Sequence, residues 1–363
     1  MWRALVGACG LLAVLNLLAG VSGGLARLGL PLPGAALAMH GAVMVCAFFG
    51  TVIALERAVA LRRLPGLVAP LAAGIGGLLA WGLQSPYAAQ GAWLLAGCAL
   101  VALYVHAGRS RAWSLHLTVE LLGALCWLAG TVVWLAGDLG AAVTGWVAFL
   151  VLTIAAERRE LMQMVRLPAL ARRLFVVAVS MALLAVALAC APAAGLPAAV
   201  PLWSACALLA LWLLRWDVAP RHWRAGGWRG HTAQCLTLGY LWLFAGAVLG
   251  LYGTVVPGAL VATGLHAVLL GFVFAMVFGH APIILPALLR LRPSYSRWVR
   301  LPLWLLAASL LLRIVATAYS RADWLALSGA GHALAIFAFA LLMVRAVAAS
   351  GHNDGKEGMP GAV

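Results

Sequence analysis

The chain has 363 residues, 65% of them hydrophobic and only 9% charged, with a net charge of +15. Soluble domains are about 45–50% apolar and about 25% charged, so a water-soluble globule, a disordered chain and a nucleic-acid-binding protein are excluded. A mean hydropathy of +1.05 points to an all-α, polytopic membrane protein. At about 20 residues per span, twelve spans use roughly 240 residues, close to the apolar share.

In chain order, Met1-Trp2-Arg3 leads into an apolar run longer than a signal-peptide core, which reads as a retained first span. Turn signals and Arg clusters predict spans over 4–25, 34–56, 66–84, 88–107, 114–136, 141–162, 171–192, 196–215, 231–253, 257–281, 298–318 and 323–346. The joints alternate. Nearly uncharged turns such as Ser85-Pro86, Pro192 to Pro197 and Val256-Pro257 swap with Arg-rich ones.

With both termini placed in the cytoplasm, 21 of the 24 Lys and Arg residues fall on that side, as the positive-inside rule requires. Arg27 and Arg321 lie in outer loops, and Arg313 lies within span 11. The expected organisation is one transmembrane domain over 1–350 and a polar, disordered cytoplasmic tail over 351–363.

A weak internal echo links spans 2, 6 and 10. Ala54-Leu55-Glu56-Arg57 runs on to Leu64-Pro65, and Ala155-Ala156-Glu157-Arg158 runs on to Leu167-Pro168. Span 10 takes the next equivalent place, near His280, Pro282 and Arg292-Pro293. This spacing suggests three pseudo-repeats of four helices. The seven cysteines are isolated and lack any Cys-x-x-Cys pair, so they read as small hydrophobes in helix packing.

Ionisable groups inside a bilayer are costly, and each marks a candidate site. Glu56, Glu157 and Glu160 lie at cytoplasmic helix ends beside Arg, and Asp138 and Asp323 lie in outer turns. Surface ion pairing accounts for all five. Glu120 is the acid placed inside a span, and either a proton relay or a structural hydrogen bond explains it.

His106, His116, His222 and His231 sit near cytoplasmic helix ends and read as interfacial, while His352 belongs to the tail. His40, His266 and His332 remain, about six, nine and nine residues into spans 2, 10 and 12. At 1.5 Å per residue they share one depth within roughly 5 Å, in the outer half of the bilayer. His280, 14 residues beyond His266, lies about 21 Å deeper.

A single intramembrane His is commonly a helix-to-helix hydrogen bond, but three at one depth suggest ligation. Two His from facing helices can hold a haem iron, and an apolar bundle suits the haem ring. Arg313 and Arg321 lie on the same side and suit its propionates; for Arg321 an interfacial anchor explains the residue equally well.

Met39-His40-Gly41, with Met44 and Phe48-Phe49-Gly50, resembles the second helix of the NnrS-type membrane proteins. Leu265-His266-Ala267-Val268-Leu269-Leu270-Gly271, with Met276 and Gly279-His280, resembles that family's His-Ala-x-x-x-Gly helix. The resemblance covers about 60 residues beside the shared twelve-span plan, on the motifs quoted. It implies a haem-containing and potentially copper-containing protein of the bacterial inner membrane, linked to nitric oxide metabolism.

That family is in turn similar to the catalytic subunit of haem-copper oxidases, whose low-spin haem is held by His from spans 2 and 10. On this resemblance His40 and His266 are the iron ligands. Two departures limit it. The fuller Trp-His-x-His-Glu pattern is missing around His40, and the stretch Ala141 to Pro192 has no histidine, so the oxidase-type copper site is absent in that form. A proton-pumping oxygen reductase is excluded.

Three functional classes stay open. The first is a haem b protein with His40 and His266 as ligands and His332 as support or alternative ligand, active in electron transfer or in binding or detoxifying a diatomic gas such as NO. As an enzyme it would be a haem-dependent oxidoreductase, with a redox partner or a second copy as its protein contact. The second is a secondary transporter of a small solute or metal ion, a plan that also uses twelve spans. The third is an assembly subunit of a respiratory complex.

Overall fold

The computed structural model describes residues 1–363 apart from 31, 33–35, 164, 192–196, 257, 259, 290–292 and 355–363. The expected turns at Pro192 and Pro257, the cations Arg290 and Arg292, and the tail beyond Asp354 fall outside the described residues. Among those described, all regular structure is helical.

Twelve helices are long and apolar enough to cross a membrane. They are α1 (Trp2–Ala26), α2 (His40–Leu61), α3 (Leu64–Gly82), α4 (Pro86–Ser110), α5 (Leu115–Leu135) and α6 (Leu139–Leu161). The series continues with α7 (Ala169–Cys190), α8 (Ala199–Trp216), α9 (Gly227–Val255), α10 (Leu260–Ile284), α11 (Arg297–Ala318) and α12 (Ala322–Ala349). The twelve-span reading is borne out. The last helix runs on to Asp354, four residues into the stretch read as tail.

The largest boundary difference is at α2, which starts at His40 instead of 34. Arg27 donates from Nε to the Leu37 carbonyl at 2.7 Å and from Nη2 to the Ala38 carbonyl at 3.4 Å, so these carbonyls are satisfied outside a helix. Met39 then caps the helix at φ −111° and ψ 16°. His40 therefore opens its helix. His266 is the seventh residue of α10 and His332 the eleventh of α12. Those two differ by about 6 Å along their helices, so the shared-depth estimate, which assumed a start at 34, does not hold from helix starts.

The chain forms two compact units, Met1–Leu209 and Ala210–Val363. Burial follows a period of four helices. Within α1–α4 the most enclosed is α2, and within α5–α8 it is α6, each with 72% of its apolar window inside the protein. Within α9–α12 it is α10, at 56%. This is the same set, 2, 6 and 10, that carries the sequence echo.

Lipid cannot drive helices together by the hydrophobic effect, so close packing of small residues must. In the first unit a Cβ on Gly145 would lie 2.6 Å from the Cys126 carbonyl and 2.8 Å from the Gly130 Cα, which ties α5 to α6. In the second unit a Cβ on Gly246 would lie 2.8 Å from the Gly264 carbonyl, and one on Gly264 2.9 Å from the Gly246 carbonyl. The α9 and α10 backbones thus touch two residues before His266.

Three spans contain π-helical stretches: Val43–Phe49 in α2, Leu78–Gly82 in α3 and Ala267–Phe274 in α10. Such i→i+5 turns are rare and often accompany functional sites, because they widen the helix and redirect its side chains.

Candidate functional site

In the first unit His40 is seated in a notch of α1. Its Nδ1 lies 2.6 Å from the Gly20 carbonyl. A carbonyl only accepts, so Nδ1 carries the hydrogen and Nε2 the lone pair of the neutral ring. Gly24, one turn on, makes room for the ring: a Cβ there would lie 2.7 Å from His40 Cε1. Three residues after His40 the π-helical stretch begins, and all seven of its residues are buried.

The second unit repeats the pattern. His266 Nδ1 lies 2.7 Å from the Ala262 carbonyl, which again leaves the lone pair on Nε2. A π-helical stretch begins at the next residue, Ala267. Its Gly271 lies under Trp242 of α9, where a Cβ would meet the indole at 2.5 Å.

One helix face of α11 meets α10 and α12 through Ser309, Arg313 and Thr317, spaced four residues apart. Ser309 Oγ lies 2.9 Å from the Leu306 carbonyl and 2.7 Å from His332 Nδ1. A hydroxyl has one hydrogen, and the carbonyl takes it, so His332 Nδ1–H donates to Ser309. His332 is 6% exposed, and its Nε2 has no hydrogen-bond partner among the described residues. At the far end of the face, Thr317 Oγ1 pairs with Thr263 Oγ1 of α10 at 2.8 Å.

Between them Arg313 is 7% exposed with an orphaned Nε, and it lies within electrostatic reach of the His332 ring. A buried guanidinium without a counter-anion is costly. The face therefore presents two unmet demands, a bare imidazole nitrogen and an unbalanced cation.

Arg321 differs in kind. It is exposed, donates to both Asp323 carboxylate oxygens at 3.0 and 2.6 Å, and lies 4.7 Å from the Trp324 ring centre. The bonds to Asp323 hold its guanidinium above the ordinary arginine range. This is the geometry of an interfacial anchor. His280 bonds from Nδ1 to the Met276 carbonyl at 2.9 Å.

His231 is corrected outright. It is fully buried, with Nε2 3.1 Å from the Phe278 carbonyl, because α9 starts at Gly227 and carries it one turn inside. Glu120, read as either relay or hydrogen bond, is fully buried and accepts from Arg57 Nη2 at 2.9 Å.

Sequence reasoning missed Ser309, Thr263 and Thr317. They are unremarked hydroxyls in apolar helices, and only the spacing 309, 313, 317 around an intramembrane Arg could have found them. It also missed Asn16, a buried amide that donates to the Gly74 carbonyl at 3.0 Å and accepts from Trp81 Nε1 at 3.0 Å. Among the described residues no three His, Cys, Asp or Glu side chains group as a metal-ion site. Haem iron needs only one or two protein ligands.

No curated protein and no solved structure matches the chain. A family model described as a domain of unknown function, DUF8744, matches residues 5–348, and the chain belongs to that family.

Proposed function

We propose that the chain is a haem b-binding integral membrane protein serving electron transfer or nitric oxide chemistry. The observation that carries this reading is the α11 face, where, among the described residues, a buried His332 Nε2 without a hydrogen-bond partner accompanies a buried Arg313 with an unpartnered Nε and no paired carboxylate. Haem answers both demands, since its iron accepts a nitrogen lone pair and its propionates balance a cation. When bound, it would supply a one-electron couple or a binding position for a diatomic gas.

His40 and His266 support the same reading. Each has Nδ1–H tied to a backbone carbonyl, the usual device that fixes a ligating imidazole, and each stands within three residues of the start of a π-helical stretch. The resemblance to the NnrS-type proteins implies His40 and His266 as the iron ligands, with His332 as the alternative ligand. Arg313 is the propionate partner, since Arg321 is committed to Asp323. The proposal is haem without copper. The distribution of 21 of 24 cations supports cytoplasmic termini, and the resemblance to the NnrS-type proteins implies the bacterial inner membrane.

The test is the absorption spectrum of the detergent-purified chain. A reduced-minus-oxidised b-type spectrum, lost in both His40→Ala and His266→Ala, is expected. A folded protein without colour or metal overturns the proposal, and solute uptake by proteoliposomes would then assign a transporter.

A further inference from the structure

In the first unit a second polar cluster joins α2, α4, α5 and α6, and the haem reading makes no use of it. Arg57 of α2 reaches Glu120 of α5 at 2.9 Å, with 17% of the Arg57 side chain exposed and none of the Glu120 side chain. Its guanidinium also lies 5.2 Å from the ring centre of Tyr104 on α4. The bond to Arg57 uses Glu120 Oε1. Glu120 Oε2, the Tyr104 hydroxyl and Thr153 Oγ1 are all buried without partners among the described residues.

On the α6 side, a Cβ on Gly123, three residues beyond Glu120, would lie 3.1 Å from Thr153 Oγ1, and Glu157 follows Thr153 by one turn. Buried polar atoms without partners are rare, and an orphaned carboxylate oxygen beside the same Arg57 as an orphaned tyrosine hydroxyl calls for an occupant.

The charge balance indicates what the occupant is. Arg57 is the guanidinium facing Glu120, while Glu56, Glu157 and Glu160 add carboxylates within electrostatic reach. A carboxylate taken out of water among other carboxylates favours binding a proton. A cleft open to solvent lies one turn away. His116, one turn before Glu120, lines an open cleft of about 320 Å³ with Ser114, Leu115, Arg159 and Gln163. Its Nε2 lies 3.8 Å from Glu160 Oε1, and Glu160 is 43% exposed at its side chain.

We infer that Glu120 is an exchangeable-proton site, hydrated beside Tyr104 and loaded from the cleft at His116. The step is a proton transfer without redox change: a hydronium in the cluster gives H⁺ to Glu120 Oε2, leaving water and a neutral carboxyl. Oε1 keeps its bond from Arg57. Tyr104 holds the water at Oε2, so it is a positioning residue. This site does not depend on haem.

Infrared difference spectroscopy between acidic and alkaline buffer, on the full chain in detergent, tests the inference. A titrating carboxyl C=O band that shifts in D₂O is expected, lost in Glu120→Gln and moved in Tyr104→Phe. An unchanged band in a folded Glu120→Gln protein overturns it and leaves a permanent ion pair. Should Glu120→Gln fail to fold, Tyr104→Phe decides, because an unmoved band and midpoint there also overturn the inference. Both readouts work on colourless protein, so a failed haem proposal leaves them intact.

Discussion

The Ser309 hydroxyl accepts the Nδ1–H of His332 across 2.7 Å because its own hydrogen is spent on the Leu306 carbonyl. One serine on α11 thereby sets the tautomer of an imidazole on α12 and turns its lone pair outward from the contact. Ser309→Ala leaves that N–H buried without an acceptor. The expected cost is about 1–3 kcal/mol, read as a lower thermal midpoint in detergent, and a haem-loaded sample should lose spectral homogeneity as the ring reorients.

Arg313 allows a test with opposite signs in two states. Without an anionic ligand the buried guanidinium is unbalanced, so Arg313→Met should raise the thermal midpoint of the ligand-free protein. With haem bound, the same substitution removes a propionate partner and should weaken retention. A midpoint that falls in both states would show that Arg313 is already balanced within the chain.

Arg321 provides the control. Its pairing with Asp323 is fully exposed, and exposed pairs contribute little. Arg321→Gln should leave both the thermal midpoint and any haem spectrum unchanged.

Close backbone approach positions α10 against α9, and glycine makes it feasible. Gly264→Ala places a methyl 2.9 Å from the Gly246 carbonyl, which neither backbone can yield without shifting α9 against α10. The expected loss is about 1–3 kcal/mol, measured by thermal unfolding. Gly24→Ala instead meets the His40 ring. It should alter the haem spectrum more than the stability, because a side chain gives way more easily than backbone.

The Arg57–Glu120 pair should show the asymmetry of buried ion pairs. Arg57→Gln leaves a carboxylate stranded and is expected to cost about 3–5 kcal/mol. Replacing both residues with Met should recover most of that loss. Thermal midpoints of the two single variants and the double variant measure it.

Much of the fold was legible because the bilayer permits few alternatives. A spanning segment must be helical and apolar for about 20 residues, so composition and Arg spacing yield twelve spans. Single-residue register was less legible. The start of α2 depends on Arg27 reaching carbonyls ten and eleven residues away, and no local signal marks that bond. The π-helical stretches after His40 and His266 have no simple sequence signature either.

Of the candidate site, His40, His266, His332 and Arg313 stood out because charge and imidazole are conspicuous in apolar helices. Arg321 stood out for the same reason, yet its neighbour Asp323 takes its charge. Glu120 was visible as an acid inside a span, but its partner is 63 residues away and had the look of an interfacial cation.

The sequence by itself therefore determined the class, the number of spans and the identities of the rare polar residues, because lipid penalises every polar group regardless of its neighbours. Only the tertiary structure decided which of those residues meet. Hydrogen-bond direction, an orphaned nitrogen and an unbalanced guanidinium are properties of pairs, set by packing between helices far apart in the chain. The +15 net charge marks a membrane topology; the few charges without partners mark the places where chemistry is expected.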